Sequence, residues 1–246
     1  MPVSETLIIA TLFLVGAGLY SSVGHGGASS YLAVMGLFSL APDVMKPTAL
    51  AINILVSGVA TFKFYHAGLF SWRLFWPFAV VSIPAAFIGG ATMLPARAYK
   101  ILVGVVLLCA ALWMFRSSLK PLIKEAHLPP LWAALAWGAA IGFLSGLTGV
   151  GGGIFLSPLL LYMGWAETRA TSGVAAPFIL VNSIAGLLGH FSSVEHLPRS
   201  VPIWGAAAVL GGWIGASYGS KRAPAPVLRQ LLSLVLVVAS VKLIFY

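Results

Sequence analysis

Long apolar runs fill this chain, separated by short joints that hold most of its charges. A helix that crosses a bilayer needs about 20 predominantly apolar residues. Runs of about that length predict spanning helices at 47–66, 72–93 and 97–115, with Pro77 and Pro84 as kinks in the second. A matching series follows at about 170–190, 201–220 and 226–245. Two other stretches are different. Residues 4–20 run into Gly24-His25-Gly26-Gly27 and resume over 28–40; residues 131–148 run into Gly149-Val150-Gly151-Gly152-Gly153 and resume over 153–164. The pieces fall short of full spans, which predicts in each half a helical hairpin dipping into the membrane, or two short tilted helices.

Glycine costs a helix about 1 kcal/mol per residue relative to alanine, so either cluster should break it. Freed N–H and C=O groups at membrane depth are tolerated only where they are buried in protein or line a cavity. A break at corresponding places in two halves points to a transporter's binding site.

The halves align beyond the clusters. Met35-Gly36 matches Met163-Gly164, Thr48 matches Thr171, Ile88-Gly89 matches Ile214-Gly215, and Pro95-Ala96 matches Pro224-Ala225. This predicts an all-α polytopic membrane protein of two repeats, each a glycine-broken hairpin plus three spanning helices. The repeats are residues 1–115 and 131–246, joined by a linker over 116–130. Charge decides their relation. If each broken segment returns to its starting side, the repeats are inverted. Lys63, Arg73, Arg116, Lys120, Lys124, Arg169, Lys221, Arg222 and Arg229 then face Lys46, Arg97, Lys100, Arg199 and Lys242, nine against five. If the segment crosses once, the count is seven against seven. The positive-inside rule favours the inverted arrangement, with the linker cytoplasmic and both termini outside.

Composition agrees: 60% of residues are hydrophobic and 8% charged, against about 25% charged in soluble domains. The net charge of +9 does not indicate nucleic acid, because the basic residues lie in short joints rather than on one polar face. The single Cys109 excludes an internal disulfide and reads as packing. The first basic residue is Lys46, so no signal peptide is expected. Trp72, Trp76, Trp113, Trp132, Trp165 and Trp204 lie near run ends and read as interfacial anchors.

At the breaks, helices starting near Ala28 and Ile154 would present unsatisfied N–H groups and positive dipole ends inward. Successive glycines bring that backbone close to a ligand and suit an anion nest. The candidate substrate-binding residues are Gly24, His25, Gly26, Gly27, Ser29 and Ser30 in the first half and Thr148, Gly149, Gly151, Gly152 and Gly153 in the second, with Ser157 as a further hydroxyl. Asn53, Asn182 and Thr171, in spanning runs, join them as pocket-lining candidates, as does Thr48. Intramembrane amides and hydroxyls also serve simply to bridge helices, for about 0.6 kcal/mol on average. Neither cluster holds an acid, so a small anion is expected, with no metal and no cofactor. His25, an ionisable group at bilayer depth, is the candidate for proton coupling. Lys63, His66 and His190 are expected to snorkel from helix ends; Lys46 and Arg169, just before spanning helices, read first as loop charges and second as guides for anions towards the entrance.

These motifs are recognisable. Gly24-His25-Gly26-Gly27, Gly146-Leu147-Thr148-Gly149-Val150-Gly151-Gly152-Gly153 running into Ser157-Pro158, Ala170-Thr171-Ser172, Asn182-Ser183 and Ala185-Gly186 resemble the TauE/SafE family of sulfite exporters, also called sulfonate uptake permeases. The resemblance covers both halves. It implies a multi-pass plasma-membrane (inner-membrane) transporter for sulfite, sulfonates or related anions, and it points to the glycines of both clusters as the family motif. His25 stands where the second cluster has Val150, so the two poles of the site are chemically unequal.

The leading expectation is an exporter working by alternating access. At 100 mV the field supplies about 2.3 kcal/mol per charge, so an exported dianion gains roughly 4.6 kcal/mol without a coupling ion. The alternative within transport is a proton-coupled importer of sulfonates. A channel or metal permease lacks a ligand cluster, a structural assembly subunit has no need of duplicated breaks, and an intramembrane hydrolase would require Ser145 beside a base such as His190. The sequence is also compatible with a homo-oligomer.

Overall fold

The computed structural model describes residues 2–119, 126–191, 197–221 and 226–245. Lys120, Lys124, Glu125, Arg222 and the Pro224-Ala225 pair lie outside them, as does the side chain of Arg229. The described residues form ten helices and no strand. In the first half these are α1 (Val3–Ser21), α2 (Ala28–Leu37), α3 (Pro42–His66), α4 (Trp72–Ala91) and α5 (Ala96–Leu119). In the second they are α6 (Leu131–Thr148), α7 (Gly153–Met163), α8 (Thr168–Gly189), α9 (Val201–Gly219) and α10 (Pro226–Phe245).

Both glycine clusters interrupt their helices, and the lengths on either side are unequal. At 1.5 Å per residue, α1 with 19 residues reaches about 28 Å, nearly the whole hydrocarbon core. The 10 residues of α2 reach about 15 Å, half of it. Each half therefore starts with one full helix and one half-helix, rather than two short pieces. Among the described residues, α1, α3, α4, α5, α6 and α8 are the six helices long and apolar enough to cross a membrane. Two boundaries differ from expectation. Pro42 opens α3 at its first turn, where a proline needs no N–H partner, so Lys46 lies within the helix. At the other end of the first half, α5 continues to Leu119, into the stretch read as linker.

Helix pairs meet through glycines spaced four apart. A methyl group on Gly211, Gly215 or Gly219 of α9 would overlap the carbonyl oxygen of Leu14, Gly18 or Ser22. On α6, one on Gly138, Gly142 or Gly146 would meet Phe78, Ser82 or Ala86 of α4. In both pairs the numbers rise together, so α1 runs parallel to α9 and α6 runs parallel to α4. Small residues allow this close backbone approach, which is how helices associate where lipid removes the hydrophobic drive. Between the halves, Asn53 meets Ser183 while Phe64 and Ala176 share one apolar cluster, so α3 and α8 are antiparallel. Val56 against Gly212, and Phe64 with Ala216, make α3 and α9 parallel. Thus α1, α3 and α9 run one way, and α4, α6 and α8 the other.

Two of the expected interfacial anchors are placed elsewhere. Trp72, Trp76 and Trp132 are exposed, but Trp204 and Trp165 are buried, with the Trp204 indole donating to the Thr6 carbonyl at 3.2 Å. Cys109 is exposed rather than packed inside.

Candidate functional site

The half-helices begin where the glycines turn the backbone left-handed. Gly27 precedes α2 with φ 99° and Gly152 precedes α7 with φ 85°. No side chain caps either helix; Ser30 and Phe155 N–H bond back to the Gly27 and Gly152 carbonyls, and the N–H groups before them in each first turn are left for other partners. Both breaks converge on one amide. A Cβ on Gly26 would overlap Asn53 Oδ1 and one on Gly151 would overlap Asn53 Nδ2, while Ile179 lies 3.2 and 2.9 Å from the same two positions. The glycines therefore meet across a side chain of α3 and one of α8. Asn53 is fully buried; Nδ2 donates to Ser183 Oγ at 2.9 Å, and Oδ1 has no hydrogen-bond partner. Accepting from Asn53 leaves the Ser183 hydroxyl its own proton to give onward.

Around this layer the approaches differ. On one side His25, 6% exposed, shares a 2.8 Å hydrogen bond between Nε2 and Ser157 Oγ of α7. Its ring lies 3.2 Å from where a Gly153 Cβ would sit. The pair opens onto a cavity of about 40 Å³ that Thr168, Thr171 and Ser172 of α8 also line. Thr171 is buried there with its hydroxyl unpartnered. On the other side Val150 joins the main apolar core, and a Cβ on Gly149 would lie 3.3 Å from the Lys46 backbone and stem. A cavity of about 260 Å³ opens there, between the start of α3 and the ends of α4, α6 and α8. Because α3 and α8 are antiparallel, the two cavities lie at opposite ends of the helix pair, with the Gly26–Asn53–Gly151 layer closed between them.

The remaining sequence candidates divide into those beside this layer and those held in backbone caps. Ser29 is buried in the first turn of α2. Ser30 Oγ donates to the Gly27 carbonyl at 2.7 Å and packs on Gly16. Thr148 Oγ1 donates to Leu144 O at 2.7 Å within α6, and Thr148's carbonyl accepts from Tyr99. Asn182 bonds within α8 through Nδ2 to Phe178 O, its Oδ1 unpartnered; it is the adjacent Ser183 that meets Asn53. Thr48 is buried with its hydroxyl unpartnered. The contacts pair Gly24 with Ser172 and Gly149 with Lys46, so Thr48 falls opposite Val174 rather than Thr171. Ile179 and Tyr31, which donates to the Gly26 carbonyl at 2.8 Å, are site neighbours that no motif marked, and Ser183 stands in a quoted motif only as the companion of Asn182.

Several charges behave differently from expectation. Lys63 packs its ammonium 3.7 Å over the Trp213 ring, and His66 stays exposed, but His190 is buried. Lys46 and Arg169 are not loop charges. Lys46 Nζ donates to the carbonyls of Gly89, Gly90 and Thr92 at the end of α4, and Arg169 donates to the Ser220 carbonyl at the end of α9. Each offsets the negative end of a helix in its own half of the chain, α4 for Lys46 and α9 for Arg169. Ser145 Oγ and both His190 ring nitrogens make no hydrogen bond to each other, so these two residues do not form the nucleophile–base pair that hydrolysis would require of them. Among the described residues no group of three or more His, Cys, Asp or Glu side chains is placed to hold a metal ion.

Membrane-length helices with two half-helix N-termini buried among them define a multi-pass membrane protein of the transporter class. The sequence profile described as Sulfite exporter TauE/SafE matches residues 8–243, and the chain belongs to that family. It is 42% identical to a probable membrane transporter protein of Sinorhizobium fredii, over 98% of this chain and 99% of the relative. It is 27% identical to a probable membrane transporter protein of Methanocaldococcus jannaschii, over 76% of this chain and 72% of the relative. One from Bacillus subtilis is 25% identical over 98% of this chain and all of the relative. No solved structure matches. The chain is thus a membrane transporter and not an enzyme.

Proposed function

We propose that this protein carries a small sulfur-containing anion, such as sulfite or an organosulfonate, outward across the plasma membrane by alternating access. One observation carries the proposal: the uncapped N-termini of α2 and α7 converge on the Asn53 amide, with no acid in either break. Each terminus contributes about 0.3–1 kcal/mol to an anion in water and up to roughly 2 kcal/mol in a partly buried site. The binding residues are the glycines of both breaks with His25, Ser29, Ser30, Asn53, Thr148, Thr171 and Asn182. Ser30 supports it mainly by fixing the Gly27 carbonyl, and Thr148 by tying the last turn of α6 through Leu144 O.

The repeats, residues 1–115 and 131–246, are inverted on this reading. The opposed directions of α1 and α6, and of α3 and α8, support it, as does the excess of basic residues on the linker side. That excess makes the linker cytoplasmic and both termini external. Cavities at opposite ends of a closed layer suit a site opened to one side at a time. Outward movement follows from charge, because a dianion leaving a negative-inside cell at 100 mV gains roughly 4.6 kcal/mol. The His25–Ser157 pair favours a second reading, import of a sulfonate together with a proton carried by His25.

Uptake of labelled sulfite into inverted vesicles, with and without an imposed inside-positive potential, tests the proposal. Uptake that rises with potential and disappears in Asn53→Asp supports potential-driven export. Uptake indifferent to potential but driven by a proton gradient selects the second reading. No specific sulfite movement in either condition refutes both for this anion.

A further inference from the structure

The 260 Å³ cavity at the start of α3 holds chemistry that the central site does not use. Its wall includes two nitrogen-bearing side chains that are more than nine-tenths buried: Lys46, 4% exposed, and His190, 7% exposed. All the hydrogen bonds of Lys46 go to carbonyl oxygens at the end of α4, at 2.8 to 3.4 Å. A helix C-terminus offers roughly half a negative charge, so about half of the ammonium charge stays uncompensated in the wall. His190, one residue beyond α8, has neither ring nitrogen hydrogen-bonded. A buried imidazole ordinarily has a partner. Once the ring is charged, one N–H has the Gly90 carbonyl as its neighbour and the other is left to donate into a space with room for several waters or for an oxoanion.

We propose that this cavity is a second anion-binding site, an antechamber in which Lys46 and a protonated His190 hold one small oxoanion. It rests on the anion-transport reading above. The proton comes from water as the anion enters and binds one ring nitrogen, making imidazolium; no other bond changes. The groups facing His190 among the described residues are few. Lys46 and Asp43 come from α3, Tyr99 from α5 and the Gly90 carbonyl from α4; Leu147 of α6 is apolar. Asp43 is exposed at the rim, where solvent screens it, and the Tyr99 hydroxyl is committed to Thr148 O at 2.9 Å. With the cavity empty, burial first and the charge of Lys46 second hold His190 below its ordinary range. The Gly90 carbonyl, bonded to Lys46 at 2.8 Å, pulls the other way. An anion between the two nitrogens reverses that repulsion, so anion and proton bind together. The sign follows: the group gains a partner when charged, so affinity is full at low pH and weakens as pH rises through the bound-state value.

The test uses the full chain in nanodiscs and labelled sulfate as probe, because sulfate keeps its charge from about pH 5 to about pH 8. Wild type should bind sulfate at least tenfold more tightly at the acid end, taking up close to one proton per anion in weakly buffered solution. His190→Gln should flatten the pH dependence and abolish the proton uptake, Lys46→Gln should weaken binding at every pH, and Lys46→Arg should retain it. Asn53→Leu, which fills the central site, should stop transport yet keep the pH-dependent binding; this separates the antechamber from the central site. Binding by wild type with no proton uptake overturns the proposal without any variant. So does retained pH dependence in a His190→Gln protein that elutes as a folded monodisperse species, or loss of all pH-dependent binding in a folded Asn53→Leu protein. Absence of sulfate binding to wild type at either pH also overturns it.

Discussion

The two breaks are the same backbone device carrying different chemistry. Both end a full-length helix, turn through left-handed glycines and start a half-helix against Asn53. Around the first, His25 bonds to Ser157 and faces a cavity lined by hydroxyls. Around the second, the position of His25 is held by Val150 and that of Ser157 by Leu32, both in the main apolar core. The two breaks therefore share their geometry, while the ionisable group stands on one side only. The shared part should be intolerant in both halves, and the divergent part in one.

The largest effect is expected where geometry is shared. Gly151 combines φ 85° with Asn53 in the space that a Cβ would take. Gly151→Leu meets backbone strain of about 1–3 kcal/mol and overpacking of about 1–3 kcal/mol, and it pushes Asn53 out of the layer. Transport should fall to background, with a lower melting temperature in the protein recovered. Near-normal transport by this variant would mean that the breaks do not form the pathway.

Next comes the divergent position. His25→Val copies the second break onto the first. It removes the bond to Ser157 and the only histidine at the breaks, and transport should drop roughly 10- to 100-fold, the loss expected for a buried partner left unpaired. Val150→Ala removes only packing and should stay within about threefold, since no polar group loses a partner. Equal losses at both positions would show that the chemical difference between the breaks is incidental. Ser157→Ala should fall between, at about tenfold, because His25 keeps its place but loses an orienting partner. Rescue by Ser157→Thr would tie the loss to the hydroxyl.

The breaks were legible because clustered glycines inside an apolar segment end a helix by their local cost alone, and α2 and α7 start at or next to the residues expected. Chemistry at the helix ends was not. Taking the third helix from residue 47 left Lys46 outside it as a loop charge. With Pro42 at the first turn, Lys46 is one turn inside and reaches carbonyls from α4. His190 looked like a residue able to snorkel; its burial depends on α3, α4 and α5 converging at the end of α8, which no local pattern encodes. Thr48 was paired with Thr171 by identity, whereas packing sets a register three residues further on, as Gly24 on Ser172 and Gly149 on Lys46 reveal. Trp165 and Trp204 illustrate the same limit: position near a run end does not tell which face of the helix a ring occupies.

The smallest effect is expected from the hydroxyls that serve the shared backbone, and it sharpens the comparison by treating the halves alike. Each break frees a carbonyl, and a tyrosine answers it: Tyr31 donates to Gly26 O at 2.8 Å and Tyr99 to Thr148 O at 2.9 Å. The tyrosines are not repeat equivalents, since one comes from α2 and the other from α5. The need for a donor is common to both halves, but the way it was met is not. Tyr31→Phe and Tyr99→Phe keep the rings and should each cost about 1 kcal/mol, lowering the melting temperature by about 2–4 °C. Tyr31→Phe should leave the anion preference unchanged, because its hydroxyl is spent on the Gly26 carbonyl and not on the Asn53 amide. A shift in preference would place the Gly26 carbonyl among the groups that sense the anion, and the first break would then recognise its ligand by backbone as well as by His25.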